Sequence, residues 1–273
     1  MSALPPTFLS RGAAHASPVL MLHGIGSTAA GWAPQLVALG ATHHAIAWNA
    51  PGYADSPPLP DDSPTVADYA AVVLAWMDSL HIRQGALVAS SWGGLIALAF
   101  AAAHPDRVTR LVLSGPTAGA GHLPAEERST MLRARGDRAR QTGIAPMLAQ
   151  DVAKLVAHNA GEALRERIRQ AQHGVTLGGY LQAMHALVQA DGVQLIGQVR
   201  CPVLVVAGDD DLIAPPAQHA LRLAQAAPHS QLVRVARCGH LPHAEHPDTF
   251  ILEVLGFIDA GTHSTQAPKE TSR

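Results

Sequence analysis

A serine lies at the junction between a predicted strand and a predicted helix, where its hydroxyl could act as a nucleophile. The segment Ala89–Gly94 reads ASSWGG and stands between a short apolar run and an alanine-rich run. A sharp turn in this context exposes the serine oxygen, and small residues two positions to either side let the helix pass the strand. Ala89 and Gly93 meet that requirement around Ser91. We therefore predict Ser91 as the nucleophile, with Ser90 as the alternative.

A histidine and a run of aspartates near the carboxyl end of the chain could activate this serine. His240 lies in the segment CGHLPHAEHP, directly after the last predicted strand. An imidazole there can accept the serine proton and later pass it to a leaving group, provided that a carboxylate holds the ring in the required tautomer. The run Asp209–Asp211 follows the preceding predicted strand and offers three candidates for that carboxylate.

Two further histidines in the same segment raise the alternative of a metal site. His243 and His246 are spaced by three, but no HExxH segment is present, and Pro242 and Pro247 interrupt the helix that such ligands would need. The chain has only two cysteines, which is too few for a thiolate cluster, and we expect both to be free thiols. We therefore expect no bound metal and no cofactor, and we assign the two histidines to packing or capping.

These segments follow one another in an order that is typical of one enzyme superfamily. The landmarks are HGIG after the first predicted strand, PGYADS after the second, ASSWGG after the third, and then GDDD and CGH. Over about residues 18–259 the chain thereby resembles the α/β-hydrolase superfamily. The resemblance implies a serine hydrolase in which the backbone N–H groups of Ile25 and Trp92 form the oxyanion hole, which binds the charge of a tetrahedral intermediate.

The same resemblance distinguishes between the three aspartates. The superfamily spaces its acid as G-x-x-D with a proline shortly after, and Gly208, Asp211 and Pro215 match that pattern. Asp211 is then the carboxylate that orients His240. The two preceding aspartates are solvated or capping residues, unless the register within the run is displaced.

Short aliphatic runs alternate with helical patterns along most of the chain. This alternation predicts βαβ units and the α/β-hydrolase fold, a mostly parallel sheet with helices on both faces. The predicted strands are Val19–Leu22, His44–Trp48, Ala86–Ala89, Val108–Leu113, Val203–Ala207 and Leu232–Val235. The predicted helices are Trp32–Leu39, Thr65–Leu80, Gly94–Ala103, Pro216–Ala226 and Thr249–Ile258.

The alternation stops between about residues 117 and 195, where several helical patterns follow one another. We therefore predict that residues 1–116 and 196–260 form the hydrolase core and that residues 117–195 form a helical lid. The lid should cover the carboxyl ends of the strands, where sites in open α/β sheets form. The polar, aperiodic residues 261–273 are predicted to be disordered.

Within the predicted lid, Gly143–Met147 and Gly179–Ala183 are similar to segments of 3-oxoadipate enol-lactonases. Tyr180 is the only aromatic residue between Ala101 and Thr249, so the lid cannot offer a stacking platform for a large aryl group. Four arginines of the lid are candidates either for binding a substrate carboxylate or for a solvated helix face. They are Arg133, Arg135, Arg138 and Arg140.

Composition excludes several other classes of function. The formal net charge is −2, and the basic residues are dispersed, so no stripe could neutralise a nucleic-acid backbone. The longest apolar stretch is far shorter than the roughly 20 residues that span a bilayer, and the first residues do not have the pattern of a signal peptide. We expect a cytoplasmic protein that acts on a small molecule without a nucleic-acid or membrane partner, and a homo-oligomer stays open.

The identity of the nucleophile limits the reaction. Epoxide hydrolases and haloalkane dehalogenases have a carboxylate nucleophile where this chain has Ser91, so their alkyl-enzyme route is excluded and acyl transfer to water remains. The preferred reaction is hydrolysis of a carboxylic ester or lactone through an acyl-enzyme. Two alternatives stay open. One is carbon–carbon hydrolysis of ring-cleavage diketones, and the other is a slow-turnover ligand receptor on the same fold.

Overall fold

Seven strands form one sheet in the computed structural model, which describes residues 5–227 and 229–260. They are β1 (Phe8–Arg11), β2 (Pro18–Leu22), β3 (His44–Trp48), β4 (Gly85–Ser90), β5 (Val108–Ser114), β6 (Val203–Gly208) and β7 (Ser230–Val235). Their order across the sheet is β1-β3-β2-β4-β5-β6-β7. Only β1 is antiparallel to its neighbour, and the other pairs are parallel. The mostly parallel sheet predicted from the sequence is confirmed.

The strand that sequence reasoning missed is β1. It has four residues and pairs with β3 at the edge of the sheet. Phe8 and Leu9 are 40% and 46% exposed, so the strand has no buried apolar run or alternating pattern that would reveal it. The six predicted strands are all present.

Eleven α-helices surround this sheet in the part of the chain that the structure describes. They are α1 (Ala33–Leu39), α2 (Val66–Ser79), α3 (Trp92–Ala103), α4 (Ala125–Thr142), α5 (Ile144–Leu155), α6 (Glu162–Ala171), α7 (Leu177–Gln189), α8 (Gly192–Ile196), α9 (Ala220–Ala226), α10 (Pro242–Glu245) and α11 (Pro247–Asp259). The sequence placed the start of α9 four residues too early, because Pro215 and Pro216 precede it in a turn closed by the bond from Gln218 N to Pro215 O.

Alternating side chains of the strands build one core on each face of the sheet. In β2, Leu20 and Leu22 pack into a cluster shared with α2 and α3, while Val19 and Met21 pack into a cluster shared with α1 and α11. This period of two follows from the pleat of a strand. The predicted covering of both faces by helices is therefore observed.

Five helices, α4 to α8, lie between β5 and β6 in the chain. Hydrogen bonds join this segment to the loop after β3. Thr176 Oγ1 donates to Gly52 O at 2.7 Å, and Ala54 N donates to Gly174 O at 2.6 Å. Both cysteines are free thiols, as predicted. Of the helices described, none has the length and apolar character that a bilayer span requires. The predicted disordered tail, 261–273, lies outside the described residues.

Candidate active site

The turn that follows β4 holds Ser91 in an unusual backbone conformation. Its φ of 50° and ψ of −118° fall in a region that costs a non-glycine residue about 1–3 kcal/mol. Ser91 N donates to Ser114 O at 3.1 Å, which joins the turn to the end of β5. The Ser91 side chain is nearly buried and borders the large cavity described below. A strained turn is thus maintained at the point where the sequence predicts a nucleophile.

Glycine is required two residues after this serine. A Cβ atom at Gly93 would lie 2.5 Å from the carbonyl oxygen of His23, at the end of β2, so only a hydrogen fits there. Ala89, on the other side, is fully buried in β4. The alternative nucleophile, Ser90, has no positive φ, and its Oγ has no hydrogen-bond partner among the described residues. The strained turn therefore holds Ser91.

His240 and Asp211 form a buried pair. His240 Nδ1 lies 2.7 Å from Asp211 Oδ2, and the two residues are 3% and 4% exposed. Asp211 Oδ1 accepts the N–H groups of Ile213 and Ala214, each at 2.8 Å. Burial by itself raises the pKa of the Asp211 carboxyl, but the bond to His240, its charge and these N–H groups together lower that pKa below its ordinary value. An ionised Asp211 only accepts, so Nδ1 of His240 carries the proton and Nε2 is left to accept one.

The other two aspartates of the run lie outside this pair. Asp209 Oδ1 accepts from Arg234 Nε at 2.7 Å on the surface, and Asp210 is exposed. Of the three aspartates, Asp211 is therefore the one that contacts His240. No carboxylate stands at the end of β5, where Gly115 packs against the carbonyl oxygen of His240.

The HGIG segment runs beside the serine turn. His23 Nε2 accepts from Ala50 N at 3.0 Å, so its other nitrogen carries the proton and donates to Gly24 O at 2.9 Å. Burial lowers the pKa of His23 to about 4, which keeps the ring neutral. Tyr53 Oη donates to Ile25 O at 2.9 Å and holds the loop from behind.

Two backbone donors of this region have no hydrogen-bond partner among the residues that the structure describes. Ile25 N donates no hydrogen bond to the rest of the described chain, and Ile25 borders the cavity. Trp92 is the first residue of α3, where N–H groups have no intrahelical acceptor. A Cβ atom placed on Gly24 would lie 3.4 Å from Ser91 Cβ, which shows how near the loop passes to the serine. Both donors are therefore available close to Ser91.

The histidines that follow His240 have structural contacts. His243 Nδ1 bonds Ser114 Oγ at 3.0 Å, and its ring packs 4.4 Å from that of Trp32. Burial, together with the nearby His240, lowers the pKa of His243 to about 3. His246 Nε2 bonds Arg237 O at 3.2 Å on the outside of the loop. Among the described residues, no group of three His, Cys, Asp or Glu side chains is arranged to hold a metal ion.

A cavity of about 1160 Å³ joins these parts and extends beneath the helices between β5 and β6. It is bordered by Ser91, His240 and Ile25, and one aromatic residue from outside that helical segment, Trp32, also borders it. Its volume is at or above the usual range for small-molecule sites. Its larger apolar side chains include Met131, Leu148, Leu155, Leu164, Ile168, Met184, Leu187, Ile213 and Leu241.

The four arginines of α4, candidates either for binding a carboxylate or for a solvated helix face, divide into two pairs. Arg135 and Arg138 border the cavity, whereas Arg133 and Arg140 do not. Arg138 binds both oxygens of Asp151, at 2.7 and 2.9 Å. Arg135 lies 3.9 Å from the same carboxylate, and its side chain is 47% exposed.

Two more polar side chains border the cavity, and the sequence analysis did not predict either of them as a site residue. His219 Nδ1 accepts from Ala118 N at 3.1 Å, which places the ring proton on Nε2, and burial lowers the pKa of this histidine. Arg167, on α6, donates to Ala244 O at 3.0 Å beside the histidine loop. No local motif marks either residue, since each reaches the cavity through the packing of distant segments. The clustering of three arginines along α6 is the sequence signal nearest to Arg167, and it does not single out one of them.

Comparison with known proteins gives the family of this chain. Residues 17–247 match the family model of the α/β-hydrolase fold. The chain is 30% identical to the 2-hydroxy-6-oxononadienedioate/2-hydroxy-6-oxononatrienedioate hydrolase of Comamonas testosteroni over 89% of this chain and 88% of that protein. It superposes on the enol-lactonase of Burkholderia xenovorans with a TM-score of 0.81 at 27% identity, covering 92% and 95% of the two chains. For an esterase of Thermogutta terrifontis the TM-score is 0.83 at 25% identity, covering 93% of each. The chain therefore belongs to the α/β-hydrolase fold family.

Proposed function

We propose that this protein is a serine hydrolase that cleaves a carboxylic ester or a lactone through an acyl-enzyme on Ser91. One observation carries the proposal: His240, bonded to the buried Asp211 at 2.7 Å, borders the same cavity as a serine in a strained turn. In this proposal residues 117–195 are the lid of the site, and the remaining described residues are the hydrolase core.

Each group then has a defined task in the reaction. Nε2 of His240 accepts the proton of Ser91 as Oγ attacks the carbonyl carbon, and Asp211 stabilises the imidazolium that forms. The N–H groups of Ile25 and Trp92 bind the oxyanion of the tetrahedral intermediate. The intermediate collapses when Nε2 returns the proton to the leaving alkoxide. A water molecule then repeats the sequence on the acyl-enzyme and frees the acid.

The charges that border the cavity favour an acidic substrate. Three arginines and one carboxylate border it, and that carboxylate, Asp151, is already bound by Arg138. The excess positive charge would attract a substrate with a carboxylate group. An enol-lactone that carries such a group satisfies both this charge and the acyl chemistry.

A second candidate reaction is supported by the relatives. The Comamonas protein is a hydrolase of 2-hydroxy-6-oxononadienedioate, so carbon–carbon cleavage beside a carbonyl occurs in a protein 30% identical to this chain. A slow-turnover receptor is the remaining alternative, and steady turnover of a short ester would exclude it.

The test is a pair of adjacent serine variants. With a short p-nitrophenyl ester, Ser91→Ala should lower kcat by several orders of magnitude and abolish labelling by a fluorophosphonate, because the acyl bond forms on that oxygen. Ser90→Ala is the matched control and should retain most of the turnover. Reversed effects of the two variants would show that the nucleophile is Ser90.

A further inference from the structure

The loop that carries His240 has no regular secondary structure of its own. It runs from the end of β7 to the start of α10, and its residues bond to segments that are distant in the chain. A general base must stand within hydrogen-bond reach of its nucleophile. Whatever fixes this loop therefore fixes the position of the imidazole.

One of these bonds and one close packing contact lead to the carboxyl end of α5, within the helical segment that covers the cavity. His240 N donates to Leu155 O at 2.8 Å, which satisfies one of the carbonyl groups left free at the end of α5. Gly239 packs so closely on Val156 that a Cβ atom there would lie 2.7 Å from the Val156 carbonyl carbon. The loop and the end of α5 are thus in direct backbone contact.

Glu245, at the end of α10, bridges the same two segments with its carboxylate. Oε1 accepts from Gly239 N at 2.8 Å, and Oε2 accepts from Ala157 N at 2.8 Å. Ala157 is 88 residues away in the chain and is nearly fully buried, as is Cys238, whose Sγ lies 3.7 Å from Oε1. Hydrogen bonds to an ionised acceptor are roughly twice as strong as neutral ones.

We propose that Glu245 is a positioning residue that fixes His240, because its two hydrogen bonds join the histidine loop to the end of α5. The helical segment then helps to hold the general base in place, in addition to covering the cavity. The inference rests on the proposed function, since it assumes that His240 is the general base. It also implies that a displacement of α5 would move the imidazole away from its partners.

Two variants test this bridge of hydrogen bonds, one on the Glu245 side and one on the α5 side. Glu245→Gln keeps the shape of the side chain, but its amide group then faces a backbone N–H donor and one of the two bonds is lost. Ala157→Pro removes the donor on the α5 side, and its ring carbon takes the place of the N–H hydrogen, so the Glu245 carboxylate must withdraw while every residue of the histidine loop keeps its type. The preceding residue, Val156, has φ of −124° and ψ of 159°, a conformation that is favoured before proline.

The expected result is a fall in kcat of about 10- to 100-fold for each variant, with KM changed by less than about threefold. The double variant should be no slower than the slower single variant, because both changes cut the same bridge. Glu253→Gln, on the exposed side of α11, is the matched control and should behave as the wild type.

The pH profile separates positioning from a general loss of structure. A loop that has slipped weakens the contact of His240 with Asp211, so the imidazolium is less stabilised and the acid limb of kcat/KM should move to lower pH. The other titratable groups that face His240 are His243 and His219, and Cys238 faces Glu245. None of them is changed in the variants.

The outcomes distinguish this inference from the proposed function. Turnover that survives Ser91→Ala overturns the proposed function. The positioning role of Glu245 alone is overturned if Ser91→Ala is inactive while Glu245→Gln and Ala157→Pro keep the wild-type kcat and pH profile. A rise in KM at constant kcat also overturns it, because the bridge would then only shape the substrate cavity. If Glu245→Gln does not fold, Ala157→Pro decides the question by the same measurements.

Discussion

Replacement of Arg135 by alanine tests whether the cavity recognises an acidic substrate. Asp151 is bound at both oxygens by Arg138, so its charge is already compensated. Arg135 reaches the same carboxylate only at 3.9 Å, so its guanidinium can turn toward a substrate carboxylate. A carboxylate bound there would gain about 1.5–3 kcal/mol from charge-assisted bonds. Because the Arg135 side chain is 47% exposed, we take the lower limit, which is about a tenfold change in KM.

The assay compares an acidic enol-lactone with its neutral methyl ester on each variant. Arg135→Ala should raise KM for the acid about tenfold and leave KM for the ester within about twofold, with kcat unchanged for both. Arg133→Ala and Arg140→Ala are matched controls on the same helix, because neither residue borders the cavity. Arg138→Ala should impair the acid further, since Asp151 loses its bidentate partner and keeps only Arg135 and Lys154, at 3.9 and 3.8 Å. Equal effects on acid and ester, or an equal effect of Arg133→Ala, would refute the reasoning.

Three further predictions concern pH, metal and substrate. The pKa values of about 4 for His23 and about 3 for His243 lie below the 6.5 of the unfolded chain, so the unfolded state binds more protons below pH 6.5. The contribution of these two histidines to the free energy of unfolding is fully present above that pH. Roughly 5 kcal/mol of it should be lost between pH 7 and 4.5, as measured by urea unfolding. A free energy of unfolding that does not change over this range would contradict the prediction. The kcat/KM should rise with pH, because His240 must be neutral to accept the serine proton, and EDTA should have no effect. Inhibition by EDTA that a divalent ion reverses would restore the metal alternative. Since Tyr180 is the only aromatic residue of the helical segment, an acidic enol-lactone and a short p-nitrophenyl ester should be better substrates than an aryl-substituted diketone. A tenfold preference for the diketone would make carbon–carbon hydrolysis the main reaction.

Much of the site could be predicted because its residues occupy the ends of strands that local patterns identify. The apolar runs of β2 and β4 are buried on both faces, so they read as strands without any knowledge of their neighbours. Ser91 directly follows β4 and Asp211 comes shortly after β6, and parallel strands bring their carboxyl ends to one edge of the sheet. Their proximity was therefore implicit in the order of elements along the chain.

Strand β1 could not be predicted in the same way. Its four residues carry no alternation, and its place at the sheet edge depends on antiparallel bonds to β3. The turn that precedes α9 is a similar case, because Pro215 and Pro216 suit both the start of a helix and a turn. Each of these errors lies where a non-local contact overrides a weak local preference.

The sequence by itself thus determined the class of sheet, the serine turn and the candidate acid and base, because each depends on residue type and on spacing along the chain. The tertiary structure decided which side of α4 borders the cavity, and so which arginines can meet a substrate. It also decided that Glu245 reaches Ala157 across 88 residues. Both outcomes depend on how the helical segment packs on the sheet, and that packing is the sum of many weak contacts between distant residues, which no local pattern records.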